Sequence, residues 1–228
     1  METSENATPV VKKTSKNHYE TLNEKITKMK VTFDNAMLPQ IFAVMVTVGY
    51  TAERIAGMNA KLEELILLNA NQIKESADET AAQSLFNAKR AEINKVFNTH
   101  RGLLRILFKE DALARPTLQL DGENPVAYGN WNQLVTQVYA QLSTPGMLAQ
   151  TSTIGITQEA VTAQQQAMTE LYALKDSIIK EGGEAEKATN VRDCAFDELY
   201  PQYSDYIKYA KLLMPNDQLL EMIGVTVR

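Results

Sequence analysis

The chain has 228 residues, a formal net charge of −5 and an apolar share of 44%, which suits a folded globular protein and not a disordered one. The acidic balance argues against a general affinity for nucleic acid, whose backbone demands clustered Lys and Arg. The single cysteine, Cys194, excludes an intrachain disulfide and any multi-cysteine metal site.

Gly and Pro are scarce and grouped, while Ala, Leu, Glu, Lys and Gln are common, a helical composition. Residues 1–16 are polar, lack an apolar stretch and read as a disordered tail, so no secretory signal is expected and a cytoplasmic location is the default. A first helix is predicted over 17–37, with Tyr19, Leu22, Ile26, Met29 and Phe33 at three- and four-residue spacing. Pro39 ends it, a short apolar helix follows over 40–47, Gly49 stops that helix, and Thr51 is placed to cap the next. The long stretch 51–109 comes next; unbroken, it would be roughly 85 Å long. Residues 118–129 form a connector dense in turn pairs, Asp121-Gly122 and Asn124-Pro125. After it the grammar recurs: a helix over 131–142, a break at Pro145, a stop at Gly155, Thr157 as a cap, and a second long stretch over 157–214.

The recurrence has a fixed offset. Sliding the sequence along itself by 106 positions lays 39–113 on 145–219 without a gap, matching Pro39 to Pro145, Gly49 to Gly155, Glu64-Leu65 to Glu170-Leu171 and Ile73-Lys74-Glu75 to Ile179-Lys180-Glu181. The expected fold is therefore an all-α antiparallel helical bundle of two tandem copies, 17–117 and 130–228, packed as one domain about a pseudo-twofold axis. Apolar residues pair across the copies: Leu65 with Leu171, Leu68 with Leu174, Ile93 with Leu199, Phe97 with Tyr203 and Leu107 with Leu213. Each long stretch is expected to fold back as a hairpin, at Ser76-Ala77-Asp78 and at Gly182-Gly183-Glu184. The alternative is a single rod that packs against its twin or another chain as a coiled coil, because the apolar phase nearly survives both places. Pro201 is expected to kink or restart the second helix after Tyr200.

The search for chemistry is short. A carboxylate-bridged metal pair in a bundle needs Glu-x-x-His on two helices; the chain has two histidines, and neither His18 nor His100 carries a Glu three residues before it. No Gly-x-Ser-x-Gly elbow, Cys–His pair or Gly-rich phosphate loop is present. Acidic pairs such as Glu63-Glu64 and Asp78-Glu79 read as solvated faces, and His100 as an amphipathic position at the bundle edge. A basic run, Lys89-Arg90, Lys95, His100-Arg101, Arg105 and Lys109, lies along one predicted helix without a counterpart in the other copy. Trp131 and Tyr128 are placed to anchor the connector.

Catalytic, cofactor-binding and metal sites are thus expected to be absent. The reading is a non-enzymatic structural or protein-interaction protein that self-associates into an oligomer or filament, with no nucleic-acid partner. Candidate interface residues come from the apolar segment 37–50, which is more apolar than its counterpart, and from the margins of a tyrosine series: Met37, Ile41, Phe42, Met45, Tyr50, Tyr200 and Tyr209. The alternative is a membrane-active, pore-forming-like protein that inserts 37–50 into a bilayer.

Overall fold

A computed structural model describes residues 20–214 and 216–226; the expected tail 1–16, Tyr19 and His18 lie outside them. Among the described residues the fold is all-α, and two long helices pack together. The order is α1 (Leu22–Asn35), α2 (Pro39–Met45), α3 (Ala52–Leu107), α4 (Ala114–Thr117), α5 (Tyr128–Leu142), α6 (Pro145–Thr151), α7 (Gln158–Leu213) and α8 (Asp217–Met222).

Local chemistry explains the boundaries. Thr21 and Glu24 form a reciprocal capping box at the start of α1, Thr21 accepting from the Glu24 amide and Glu24 from the Thr21 amide. α2 and α6 each begin on a proline, whose missing N–H costs nothing in the first turn, and each runs seven residues. A short 3₁₀ turn follows both, ending on Gly49 and Gly155, each at φ +85°, a conformation glycine adopts without strain. Thr51 and Thr157 then accept from the backbone amides of Arg54 and Ala160 at the starts of α3 and α7.

The chain divides into two compact units, and the division runs through both long helices. Unit 1 holds the described residues up to Leu67 and from Cys194 onward. Its core joins Ile26, Met29 and Phe33 of α1, Ile41 and Met45 of α2, Tyr50, the first four turns of α3 (Ile55, Met58, Leu62, Leu65) and the last turns of α7 (Leu199, Tyr206, Ala210, Met214). Thr32 donates to the Ile223 carbonyl at 2.8 Å and Asn35 to the Met222 carbonyl at 2.6 Å, fastening α1 to the end of α8.

Unit 2, Leu68–Asp193, contains the connector. Its core packs Phe86, Ile93, Phe97 and Leu104 of α3 against α5 (Trp131, Val135, Val138, Tyr139, Leu142) and the start of α7 (Val161, Met168, Leu171). Within each unit α3 and α7 run antiparallel. Lys61 reaches Glu198 in unit 1, while in unit 2 Arg192 reaches Gln72 and Lys89 reaches Glu170.

Two sequence expectations are corrected. α3 and α7 are single helices of 56 residues each, without the hairpin turns expected at Ser76-Ala77-Asp78 and Gly182-Gly183. Neither glycine has the positive φ of a turn; a Cβ on Gly182 would sit 3.6 Å from Glu79 Oε1, an ordinary contact, and one on Gly183 would meet nothing within 4 Å. Around them the buried seam positions are small, Ala82, Ala185 and Ala188. Pro201 also fails to end its helix. Its ring removes one intrahelical donor, but the preceding turn is well packed: Tyr200 stacks on Phe196 of the same helix with ring centroids 4.9 Å apart, and Lys25 of α1 lies over both rings.

Gly183 faces open space inside a helix, so Gly183→Ala is expected to stabilise the protein by about 0.5–1 kcal/mol. Gly49→Ala, at positive φ, is expected to destabilise it by about 1 kcal/mol or more. Urea unfolding of both variants checks this; destabilisation by Gly183→Ala would reinstate a turn.

Candidate functional site

The predicted interface residues divide. Ile41, Met45 and Tyr50 are fully buried in the unit 1 core. One face of segment 37–50 is absorbed internally, because the turn at Pro39 folds it onto α1, α3 and α7, while Met37 and Val46 remain exposed. The corresponding positions of α6 and its following loop, Thr151 and Ile156, are equally buried, Thr151 donating its hydroxyl to the Ile156 carbonyl at 3.2 Å. Phe42 and Tyr200 are half-buried, while Met37 and Tyr209 stay exposed. Inside this core the Tyr50 and Tyr206 rings meet edge to face at 4.9 Å, with both hydroxyls buried and unpartnered. Burial pushes Tyr206 up to about 12.

In unit 2, the paired part of α3 and α7 around Ala82 and Ala188 leaves large apolar side chains in water. Ile73 is 55% exposed and Ile179 66%; Leu85 is 60% and Val191 43%. Leu68, Asn71, Glu75, Glu184, Lys187, Ala188 and Val191 line a groove of about 300 Å³ between the helices. Beside it the carboxylates of Glu75, Asp78 and Glu181 come within 4.8 Å of one another. Lys74 bonds to both Glu75 and Asp78, and Lys180 to Glu181 and Glu184, so each acidic set carries its own counter-charge.

The basic run predicted on α3 does not form one outward stripe. Lys89 pairs with Glu170 at 2.6 Å, while Arg90 donates to the Val126 carbonyl at 2.8 Å with its guanidinium 5.0 Å above the Trp131 ring. Arg101 is buried, 3% exposed, and donates to the carbonyls of Gln119 and Asp121 and to the Asn124 side chain. Arg105, one turn on, donates to the carbonyls of Leu120 and Gly122. Two guanidinium forks thereby hold the connector, including Gln119 at φ +48°, through backbone dipoles and without a carboxylate. Burial, then the adjacent Arg105, pushes Arg101 below its ordinary value, with Asp121 opposing.

Asparagines complete this face of unit 2. Asn94 accepts from the Trp131 indole at 3.0 Å and Asn98 accepts from Asn124, which ties Trp131 and the connector to α3 as the anchoring expectation required. Asn98, Arg101, Gly102, Arg105, Gly122, Glu123 and Asn124 line one cleft of about 310 Å³. Asn98 and Asn124 also line a second of about 510 Å³, with Asn87, Arg90, Asn94 and Trp131. Sequence reading missed these residues: in a helix, Asn at four- and seven-residue steps looks like ordinary solvated surface. The legible signal was an excess of poor helix formers, three Asn and a Gly, in four turns of α3.

His100 Nδ1 lies 3.0 Å from the Tyr139 hydroxyl, and the two rings pack edge to face at 5.9 Å. Comparison with protein-family models, curated proteins and solved structures finds no match for the chain.

Burial lowers the proton affinity of His100 below its ordinary value. The unfolded chain then binds the proton more tightly than the folded one. The associated stability is present above about pH 6.5 and is lost as pH falls through the folded-state value. Denaturant midpoints between about pH 7.5 and 5 should fall less in His100→Gln than in the wild type; parallel curves would remove His100 from the pH response.

Proposed function

We propose that the chain is a duplicated helical unit acting as a non-enzymatic structural or interaction protein, with a second copy of itself as principal partner. Duplication is supported by correspondence at an offset of 106: α1 with α5, α2 with α6, and α3 with α7. Burial recurs with it, as at Phe33 and Tyr139, Leu65 and Leu171, Ile93 and Leu199, and Leu104 and Ala210.

The observation that carries self-association is the pairing of exposed apolar residues at the same offset, Ile73 with Ile179 and Leu85 with Val191, all within unit 2. Large apolar side chains that recur at equivalent positions present the same patch twice. A twofold partner meets both members of each pair at once, giving a closed, isologous contact. The adjoining groove carries Glu75, Glu184 and Lys187, charges of both signs that complement themselves under such a rotation. A cytoplasmic setting fits the free, exposed thiol of Cys194.

One observation favours the membrane-active reading. No single helix among the described residues is long and apolar enough to cross a membrane, but Leu22–Asn35 with Pro39–Val48, bent by 95°, passes the length and composition test as a pair. Insertion would have to pull Phe33, Ile41 and Met45 out of the unit 1 core. Self-association needs no such opening.

Sedimentation velocity from about 1 to 100 µM is expected to show a dimer or larger species for the wild type. Leu85→Glu with Val191→Glu is expected to give a folded monomer. A wild-type monomer across that range would overturn the reading, and flotation with liposomes would favour the alternative.

A further inference from the structure

Gly102 lies inside α3, yet a Cβ there would meet no heavy atom within 4 Å. Packing does not call for glycine at this position, and the residue leaves bare helix backbone at the floor of the smaller connector cleft. Arg101 and Arg105 stand one turn apart on its walls. Among the described residues neither has a carboxylate within ion-pair distance; their partners are the carbonyls of the connector and the Asn124 amide. Carbonyl dipoles satisfy N–H groups but do not cancel two positive charges.

Donors remain. A guanidinium carries five N–H groups, and Arg105 engages the connector only through Nε and Nη2, leaving Nη1. Asn98 uses its oxygen to accept from Asn124, leaving its own amide N–H groups. The one carboxylate lining the cleft is that of Glu123, an exposed side chain on the rim.

We infer that this cleft binds a small oxyanion, a carboxylate or phosphate group of a soluble ligand, over the backbone at Gly102, with Arg105 Nη1 and the Asn98 amide as donors. Arg101, held in the wall by its bonds to the connector, supplies fixed charge rather than a contact. The cleft suits an oxyanion because planar guanidinium and amide groups line it with N–H donors to spare and charge to match. A cleft of about 310 Å³ limits the ligand to small-molecule size. Glu123 acts as an intramolecular competitor.

Titration calorimetry with inorganic phosphate and with citrate, at constant ionic strength in chloride, tests this on the full chain. Saturable 1:1 binding to at least one anion is expected, and the preferred one identifies phosphate or carboxylate as the natural group. Arg105→Gln should weaken binding at least tenfold and Glu123→Gln should strengthen it. Gly102→Ala is the decisive variant, since its methyl fills the floor without touching the fold: affinity should fall about tenfold while the melting temperature rises. If Arg105→Gln unfolds, Gly102→Ala alone decides. No saturable heat with either anion up to about 10 mM, or affinity unchanged in Gly102→Ala, overturns the assignment.

Discussion

The antiparallel seam between α3 and α7 is the constraint on which the rest depends. Where a third helix lies alongside, the seam uses large residues, such as Phe86, Ile93 and Leu171 with α5 in unit 2. Toward Ala82, Ala185 and Ala188 it narrows to small ones, with Gly182 against the Glu79 side chain. Small residues let two helices approach closely enough to gain dispersion contacts, but they bury little apolar area per turn. The surface ion pairs along the seam, Lys61–Glu198 and Lys89–Glu170, are exposed enough to set register more than stability. That part of unit 2 is therefore continuous in backbone yet thin in core, and its outer faces retain the exposed Ile and Leu side chains that self-association would cover.

Punctuation and pattern were legible. Pro39 and Pro145 mark breaks, each as the first residue of the next short helix, Gly49 and Gly155 terminate the turns that follow, and Thr51 and Thr157 cap the long helices as their chemistry requires. Core positions such as Leu65, Leu171, Ile93, Leu199 and Phe97 followed from spacing alone, and all are buried. What misled was reading Gly182-Gly183 as a turn. A glycine pair signals a turn by propensity alone, and here both residues keep helical backbone inside α7, where the flanking turns carry the helix through. Pro201 does not restart the helix: the cost of a lost donor is local, and the turn before it is held by Tyr200 stacked on Phe196 with Lys25 of α1 over both rings.

The connector contacts were out of reach for a different reason. Arg101 and Arg105 bind backbone carbonyls, and carbonyls carry no sequence signature. A basic run on an acidic chain invites a search for an external partner. Here much of that charge is turned inward to hold residues 119–122, and its excess over nearby carboxylates is the electrostatic basis of the proposed anion site. The candidate interface residues were chosen by residue type, which does not reveal burial. Tyr50 and Tyr209 lie within 6.0 Å of one another, yet one is fully enclosed and the other open.

Residue-resolved amide hydrogen exchange over Lys74–Thr80 and Lys180–Ala185 tests the central claim most directly, because backbone protection reports helix continuity independently of side-chain packing. Two uninterrupted helices locked along a common seam require protection through both segments, including the Ala77, Gly182 and Gly183 amides. Unprotected amides confined to Ser76–Asp78 and Gly182–Glu184, between protected flanks, would mean that each long stretch folds back on itself and that the seam described above does not exist.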